Sequence, residues 1–252
     1  MTNPAEATEN KAISTGTHVF QYGIANAFIQ GIYEGQLSVK EVKQQGDFGL
    51  GAPNLIDGEL IMIEGKVFQT NAHGETFEAP DSLKTPFVFV TAFKPEAIHY
   101  FSDIETIGDL FTRIEGCLSN KNSIYAIRIT GKFMKMGTRA FSPVTQKPYK
   151  PLSQLLGQQH FLNCDQTNGT MIGFYMPGYL SGINIVGMHF HYLSADLKKG
   201  GHVLDLSSDE VKVEIAAIAG FQLTVPQTAD FKKYDFNRDN SHDLNLIERG
   251  KN

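Results

Sequence analysis

Of the eight histidines in the 252-residue chain, three are spaced for chemistry. Gly187-Met188-His189-Phe190-His191-Tyr192 is a strand-like run whose period of two puts both imidazoles on one face, where they can share a cation. Ser194 to Lys199 leads into Gly200-Gly201, a turn composition, and a hairpin closed there would return His202 to the first pair. Three neutral imidazoles with one coordination position open form the ligand set of a catalytic Zn²⁺ site, where the metal acts as a Lewis acid on substrate oxygens. An HxH pair alone is often just two polar residues on the outer face of a strand. The third histidine makes His189, His191 and His202 an expected metal site. His18, His73, His99, His160 and His242 are scattered singly and read as surface or hydrogen-bonded residues.

Other patterns do not make sites. Asp235, Asn237 and Asp239 copy the first ligand positions of an EF-hand loop, but Asn240 replaces the glycine and Leu246 stands where the bidentate glutamate belongs, so calcium is rejected. The glycines between Gly46 and Asn54 have neither GxGxxG spacing nor a Gly-Lys-Ser/Thr ending, so a tight turn aiming the next strand is expected there instead of a nucleotide cradle. Cys117 and Cys164 are too few for a disulfide framework or a four-cysteine zinc site, which fits a reducing compartment.

The elements that must position the histidines are mostly strands. Ile24, Phe28 and Ile32 predict a short helix, Ser38 to Glu41 a capping box, and Asp103 to Leu118 the longest helix. Glu59–Ile63 and Lys66–Thr70 form an expected hairpin around Glu64-Gly65. Pro86–Phe93 and Ser123–Met136 read as strands, the second ending near Arg139, and Leu152–His160 as helical. Met171–Met176, Ile183–Tyr192, His202–Leu206, Val211–Ile218 and Phe221–Val225 read as further strands. Without βαβ alternation, the class is α+β with mixed or antiparallel sheets and a few short helices. Pro143, Pro148 and Pro151 mark a boundary between an N-terminal α+β half, 18–142, and a β-rich half, 143–252, carrying the histidines; residues 1–17 read as a flexible arm.

With 41% hydrophobic and 19% charged residues the chain has material for a real core, and a net charge of −5 supplies no basic stripe for nucleic acid. No apolar run reaches the length of a membrane span, and the polar N-terminal stretch lacks the apolar core of a signal peptide, so a cytoplasmic protein is expected.

Gly46-Asp47-Phe48-Gly49-Leu50-Gly51, Asp57-Gly58-Glu59, Arg139, and His189-Phe190-His191 followed by Gly200-Gly201-His202-Val203-Leu204-Asp205 together resemble the alpha-acetolactate decarboxylase family, from about Val19 to Glu248. The resemblance implies a zinc enzyme of the acetoin and butanediol route that converts alpha-acetolactate to acetoin, the R enantiomer expected, and CO2. It implies a homodimer whose site lies between two sheet-containing parts. The family's zinc histidines fall on His189, His191 and His202, its site glutamate on Glu59, its site arginine on Arg139 and a second glutamate on Glu248. One departure is Ala52, followed by Pro53, where the family commonly has threonine. It removes a hydroxyl near the expected site and bears on rate or stereochemical preference.

The residue types suit that chemistry on their own. Loss of CO2 beside a carbinol and a ketone leaves an enediolate whose charge needs a sink, and Zn²⁺ chelating the hydroxyl and carbonyl oxygens would supply one. A guanidinium at Arg139 can hold the carboxylate, and Glu59 or Glu248 can deliver the proton that completes acetoin. Two other classes share parts of the pattern. A cupin-like oxygenase or isomerase also uses HxH on a strand, with Asp196 as the acidic ligand, but it has no place for the Asp-Gly-Glu block. A binding module of the plant and prokaryote conserved type needs no histidine set.

Overall fold

The computed structural model describes residues 17–236. The arm up to Gly16, His242, Leu244–Ile247 and Glu248 lie outside them. The chain begins with β1 (His18–Tyr22), α1 (Ala25–Ile29), β2 (Leu37–Ser38), α2 (Val39–Val42), β3 (Phe48–Ala52), β4 (Glu59–Ile63), β5 (Lys66–Thr70) and β6 (Thr76–Glu78). It continues through β7 (Lys84–Thr85), β8 (Phe87–Thr91), β9 (Ala97–Ile104), α3 (Ile107–Cys117), β10 (Ile124–Phe141) and β11 (Gln159–Met176). The last described elements are β12 (Gly187–Ser194), β13 (Gly200–Ile218), β14 (Gly220–Thr224) and α4 (Ala229–Lys233). The fold is α+β with mixed and antiparallel sheets, as its composition and periodicity predict.

Seven strands form one sheet in the order β14-β1-β8-β3-β4-β5-β6, antiparallel except for the β1–β14 pair. Five strands form the second in the order β10-β11-β12-β13-β9, and β10 also pairs with β13, so four of them close into a ring. The hairpin at Glu64-Gly65 forms as expected. Both turn residues have positive φ, 49° and 76°, the requirement of a type I′ turn whose twist matches its strands. The capping box at Ser38 and Glu41 is also present, with both of its hydrogen bonds.

The sheets pack face to face through Phe48, Leu50, Ile61 and Phe89 from the first and Ala126, Ile172, Phe174 and Leu193 from the second. Phe174 meets Phe89 edge to face at 5.1 Å and Phe48 at 5.7 Å, arrangements that add a little to the apolar area they bury. A second core lies under α3, where Leu110 and Ile114 join Phe133, Met136, Phe190 and Tyr192.

Several elements differ from the sequence reading. Phe48–Ala52, read as a turn, is a fully buried strand between β8 and β4. Its glycines serve close packing, because a Cβ on Gly51 would press on Val88 at 2.8 Å. Leu152–His160 is not an α-helix: two short 3₁₀ turns, Leu152–Gln154 and Leu156–Gln158, precede β11. The strands read as His202–Leu206 and Val211–Ile218 are one strand. Nor does the proline-rich loop separate the sheets. Strands β9 and β10, from before residue 143, belong to the second sheet, and β14, from after it, joins the first. Among the described residues no helix is long and apolar enough to cross a membrane.

Candidate metal centre

Alternation along β12 sends Phe190 and Tyr192 into the core under α3 and leaves His189 and His191 on the face toward the first sheet, with Leu193 in the layer between sheets. His189 continues that layer, its ring 6.0 Å from Phe89. Strand register supplies the rest of the cluster. His202 on β13 lies opposite His191 on β12, and Arg139 on β10 lies opposite His202 on its other side, so the three stand in one row across three strands.

Gly200-Gly201 is strand rather than turn. The chain reverses through Ala195–Lys199, closed by Ser194 N–H to Lys199 O at 2.9 Å. The two glycines are needed beyond the turn: Gly201 has φ +125°, and a Cβ there would stand 2.8 Å from the Arg139 carbonyl.

The first sheet contributes Glu59 at the start of β4. Gly58, before it, has φ +91°, and any Cβ would run into the Thr70 carbonyl oxygen. Gly58→Ala is therefore expected to cost about 2–4 kcal/mol and to displace Glu59, read as a lower urea midpoint together with reduced turnover.

His189, His191 and His202 are at most 7% exposed, and their possible ligand atoms all lie within 4.8 Å of one another. His189 Nε2 and His202 Nδ1 are 3.0 Å apart. A carbonyl can only accept, so the 2.7 Å contact of His191 Nδ1 with Leu60 O makes Nδ1 the protonated nitrogen. Nε2 then carries a lone pair, and it is buried without a hydrogen bond, 3.4 Å from Glu59 Oε2. An imidazole with one nitrogen fixed by a backbone carbonyl and the other left with a lone pair is set to ligate an ion.

Burial pushes His189 well below the usual imidazole range, and the neighbouring His191 and Arg139 push it further. His191 is lowered to about 3, chiefly by burial, with Arg139 adding to the shift and the Leu60 hydrogen bond opposing it. Neutral imidazoles are the form that ligates a cation. The three-histidine group can hold a metal ion.

Arg139 Nη1 lies 3.2 Å from Glu59 Oε1, and its guanidinium is 5.1 Å from the centre of the Phe141 ring. The three histidines, Glu59, Arg139 and Phe141 line one pocket, which Ala52 also lines. Its remaining wall is apolar and includes Phe28, Ile29, Phe87, Leu152 and Ile185. Glu248 lies outside the described residues. Of the other histidines, His160 meets Ser142 Oγ at 2.9 Å, while His18 and His73 are exposed.

Sequence reasoning missed the Leu60 carbonyl, which has no side-chain signal, and the apolar wall. Phe141 was readable in principle: two residues after Arg139 on a strand, it shares that residue's face.

A polar floor of imidazoles, carboxylate and guanidinium beneath an apolar wall suits a small anionic substrate, and relatives place the chain among the carboxy-lyases. Residues 19–238 match the family model described as alpha-acetolactate decarboxylase. The Brevibacillus brevis protein of that name is 36% identical over 217 residues, 86% of this chain and 76% of that protein. The crystal structure of alpha-acetolactate decarboxylase from Bacillus subtilis strain 168 aligns with a TM-score of 0.89 at 30% identity, covering 93% of this chain and 100% of that one. A Staphylococcus aureus protein, described as of unknown function and similar to alpha-acetolactate decarboxylase, aligns with a TM-score of 0.85 at 27% identity, covering 92% and 98%. The chain belongs to the alpha-acetolactate decarboxylase family. That membership displaces the cupin-like and binding-module readings.

Proposed function

We propose that the chain decarboxylates alpha-acetolactate to acetoin, the R enantiomer, and CO2, with zinc held by His189, His191 and His202. The observation that carries this reading is the meeting of the three buried imidazoles with Glu59 and Arg139 in one pocket, in a chain of this family. Zinc bound there would supply Lewis acidity toward the substrate's hydroxyl and carbonyl oxygens, offsetting the negative charge that develops as CO2 leaves.

The chain's own residues do the rest. Arg139, 3% exposed and always charged, offers its donor fork to the substrate carboxylate and so orients the bond that breaks. That bond's electron pair moves toward the ketone, and the resulting enediolate must be protonated at the carbinol carbon. Glu59 pairs with Arg139, so it acts first as an acceptor and must take up a proton before it can give one. The substrate hydroxyl is the nearest source by chemistry, and Glu59 returns that proton to carbon; the reaction consumes one proton overall, so a second, from solvent, restores the carbinol hydroxyl as acetoin leaves. Glu248 is the second candidate for the same step. The apolar wall keeps water from the reacting carbon.

The family resemblance also supports a homodimer, for which light scattering should give twice the 27.9 kDa chain mass. Elemental analysis of the purified protein, with a colour assay for acetoin from racemic acetolactate, tests the reading. One zinc per chain and acetoin formation are expected. A metal-free protein that makes no acetoin would end it.

A further inference from the structure

Strands β10 and β11 pair residue by residue from Tyr125–Tyr175 to Phe141–Gln159, which leaves a strap, 142–158, to be placed elsewhere. Connections of this length with little regular structure are uncommon in compact domains, and this one holds only two short 3₁₀ turns. This strap is fastened down. Val144 N–H donates to Leu55 O at 2.9 Å and the Tyr33 hydroxyl to Lys150 O at 2.9 Å, while Lys147 and Tyr149 both reach the Glu34 carboxylate, at 2.8 and 2.7 Å. Its apolar residues Val144, Leu152 and Leu155 pack with Ile29, Tyr33, Ile56 and Phe141 in a cluster separate from the main cores. Leu152, 4% exposed, is the member of the strap that reaches the pocket wall.

We infer that Leu152 is a specificity-determining residue, setting the largest alkyl group at C2 that the pocket accepts. The inference rests on the proposed decarboxylation. If carboxylate, hydroxyl and ketone are all held at the polar floor, a 2-hydroxy-2-alkyl-3-oxo acid has only its alkyl groups left to face the apolar wall. The sheets supply the floor, and the strap, tied to α1 and the segment after it, supplies a rigid limit to the space above. One methylene in such a pocket is worth about 10–200-fold in discrimination.

The test compares kcat/KM for the 2-ethyl and the 2-methyl substrate in each variant, a ratio that misfolded protein does not alter. Leu152→Ala should raise the ethyl-to-methyl ratio about ten-fold or more. Leu155→Ala is the control: it removes the same side chain from the same cluster but not from the pocket wall, and should leave the ratio within about two-fold. Calorimetric binding of the two acids reduced to alcohols at C3, which cannot lose CO2, should shift in the same direction. Equal shifts in both variants, or no shift in Leu152→Ala while both substrates turn over, would overturn the assignment alone. Turnover of neither substrate by the zinc-loaded wild-type chain would overturn the decarboxylase reading and the assignment with it.

Discussion

His191→Ala should lose bound metal and acetoin production together while keeping its fold. The imidazole stands at the end of the row, beside His202 on the neighbouring strand and donating through Nδ1 to the Leu60 carbonyl of the other sheet, and its Nε2 is aimed at the same space as the other two rings. Two histidines would remain. They leave a site short of the three protein ligands that catalytic zinc normally keeps, so the ion should be lost on dialysis. Lewis-acid stabilisation is worth several kcal/mol of barrier, and each 1.36 kcal/mol is tenfold in rate, so turnover should fall at least about a thousand-fold. The structural cost is smaller. Leu60 O would lose its imidazole donor in a buried setting, about 1–3 kcal/mol, against a total stability of roughly 5–15 kcal/mol. Circular dichroism should therefore show a native spectrum with a lower melting temperature. Full activity in a metal-free His191→Ala protein would sink the role of the metal.

The part of this site legible in the sequence is the part written in side chains at strand period. His189 and His191 alternate with Phe190 and Tyr192, and that pattern admits one arrangement, imidazoles to one face and rings to the core. His202 could be placed near them because short connections return neighbouring strands to each other. The glycines beside it are small for a reason other than a turn. They were read as the turn, whereas they are strand residues kept small by Tyr192 O at 2.7 Å from a Cβ on Gly200 and by the Arg139 carbonyl beside Gly201.

The same confusion hid β3. Glycines in a short run read as turn residues, because the sequence records the missing side chain without recording which neighbour excludes it. Here the excluding neighbour is β8, more than thirty residues away in sequence, with Val88 paired to Gly51. The first half of β11 was illegible for a different reason. His160, Phe161, Asn163 and Asp165 face solvent or lie half-covered, so pairing with β10 and not burial holds that stretch extended, and no apolar alternation results. Sheet membership was also out of reach: nothing local in Gly220–Thr224 says that it lies parallel to β1, some two hundred residues earlier. Glu59 and Arg139 were located through the family resemblance. What the structure adds is that they stand 3.2 Å apart, which changes how Glu59 can work.

Glu59→Gln should keep its metal and lose most of its turnover. The substitution preserves shape, so the contact with Arg139 can persist as a neutral hydrogen bond, and none of the three histidines is altered. The amide can neither take a proton from the substrate hydroxyl nor return one to carbon. Positioned proton transfer contributes about 10²–10⁴-fold, and kcat should drop by that range with metal content unchanged. Losing the carboxylate also leaves Arg139 buried at 3% exposure without its anionic partner. A buried guanidinium facing a neutral amide is a stronger attractor for a substrate carboxylate than one facing a competing carboxylate, so KM should hold or fall while kcat collapses. That split separates a proton-transfer role from simple damage to the pocket, which would raise KM as well. If Glu59→Gln turned over normally, the proton would have to come through Glu248 or water, and Glu248→Gln in the same background would tell them apart, since only the Glu248 route predicts a loss there.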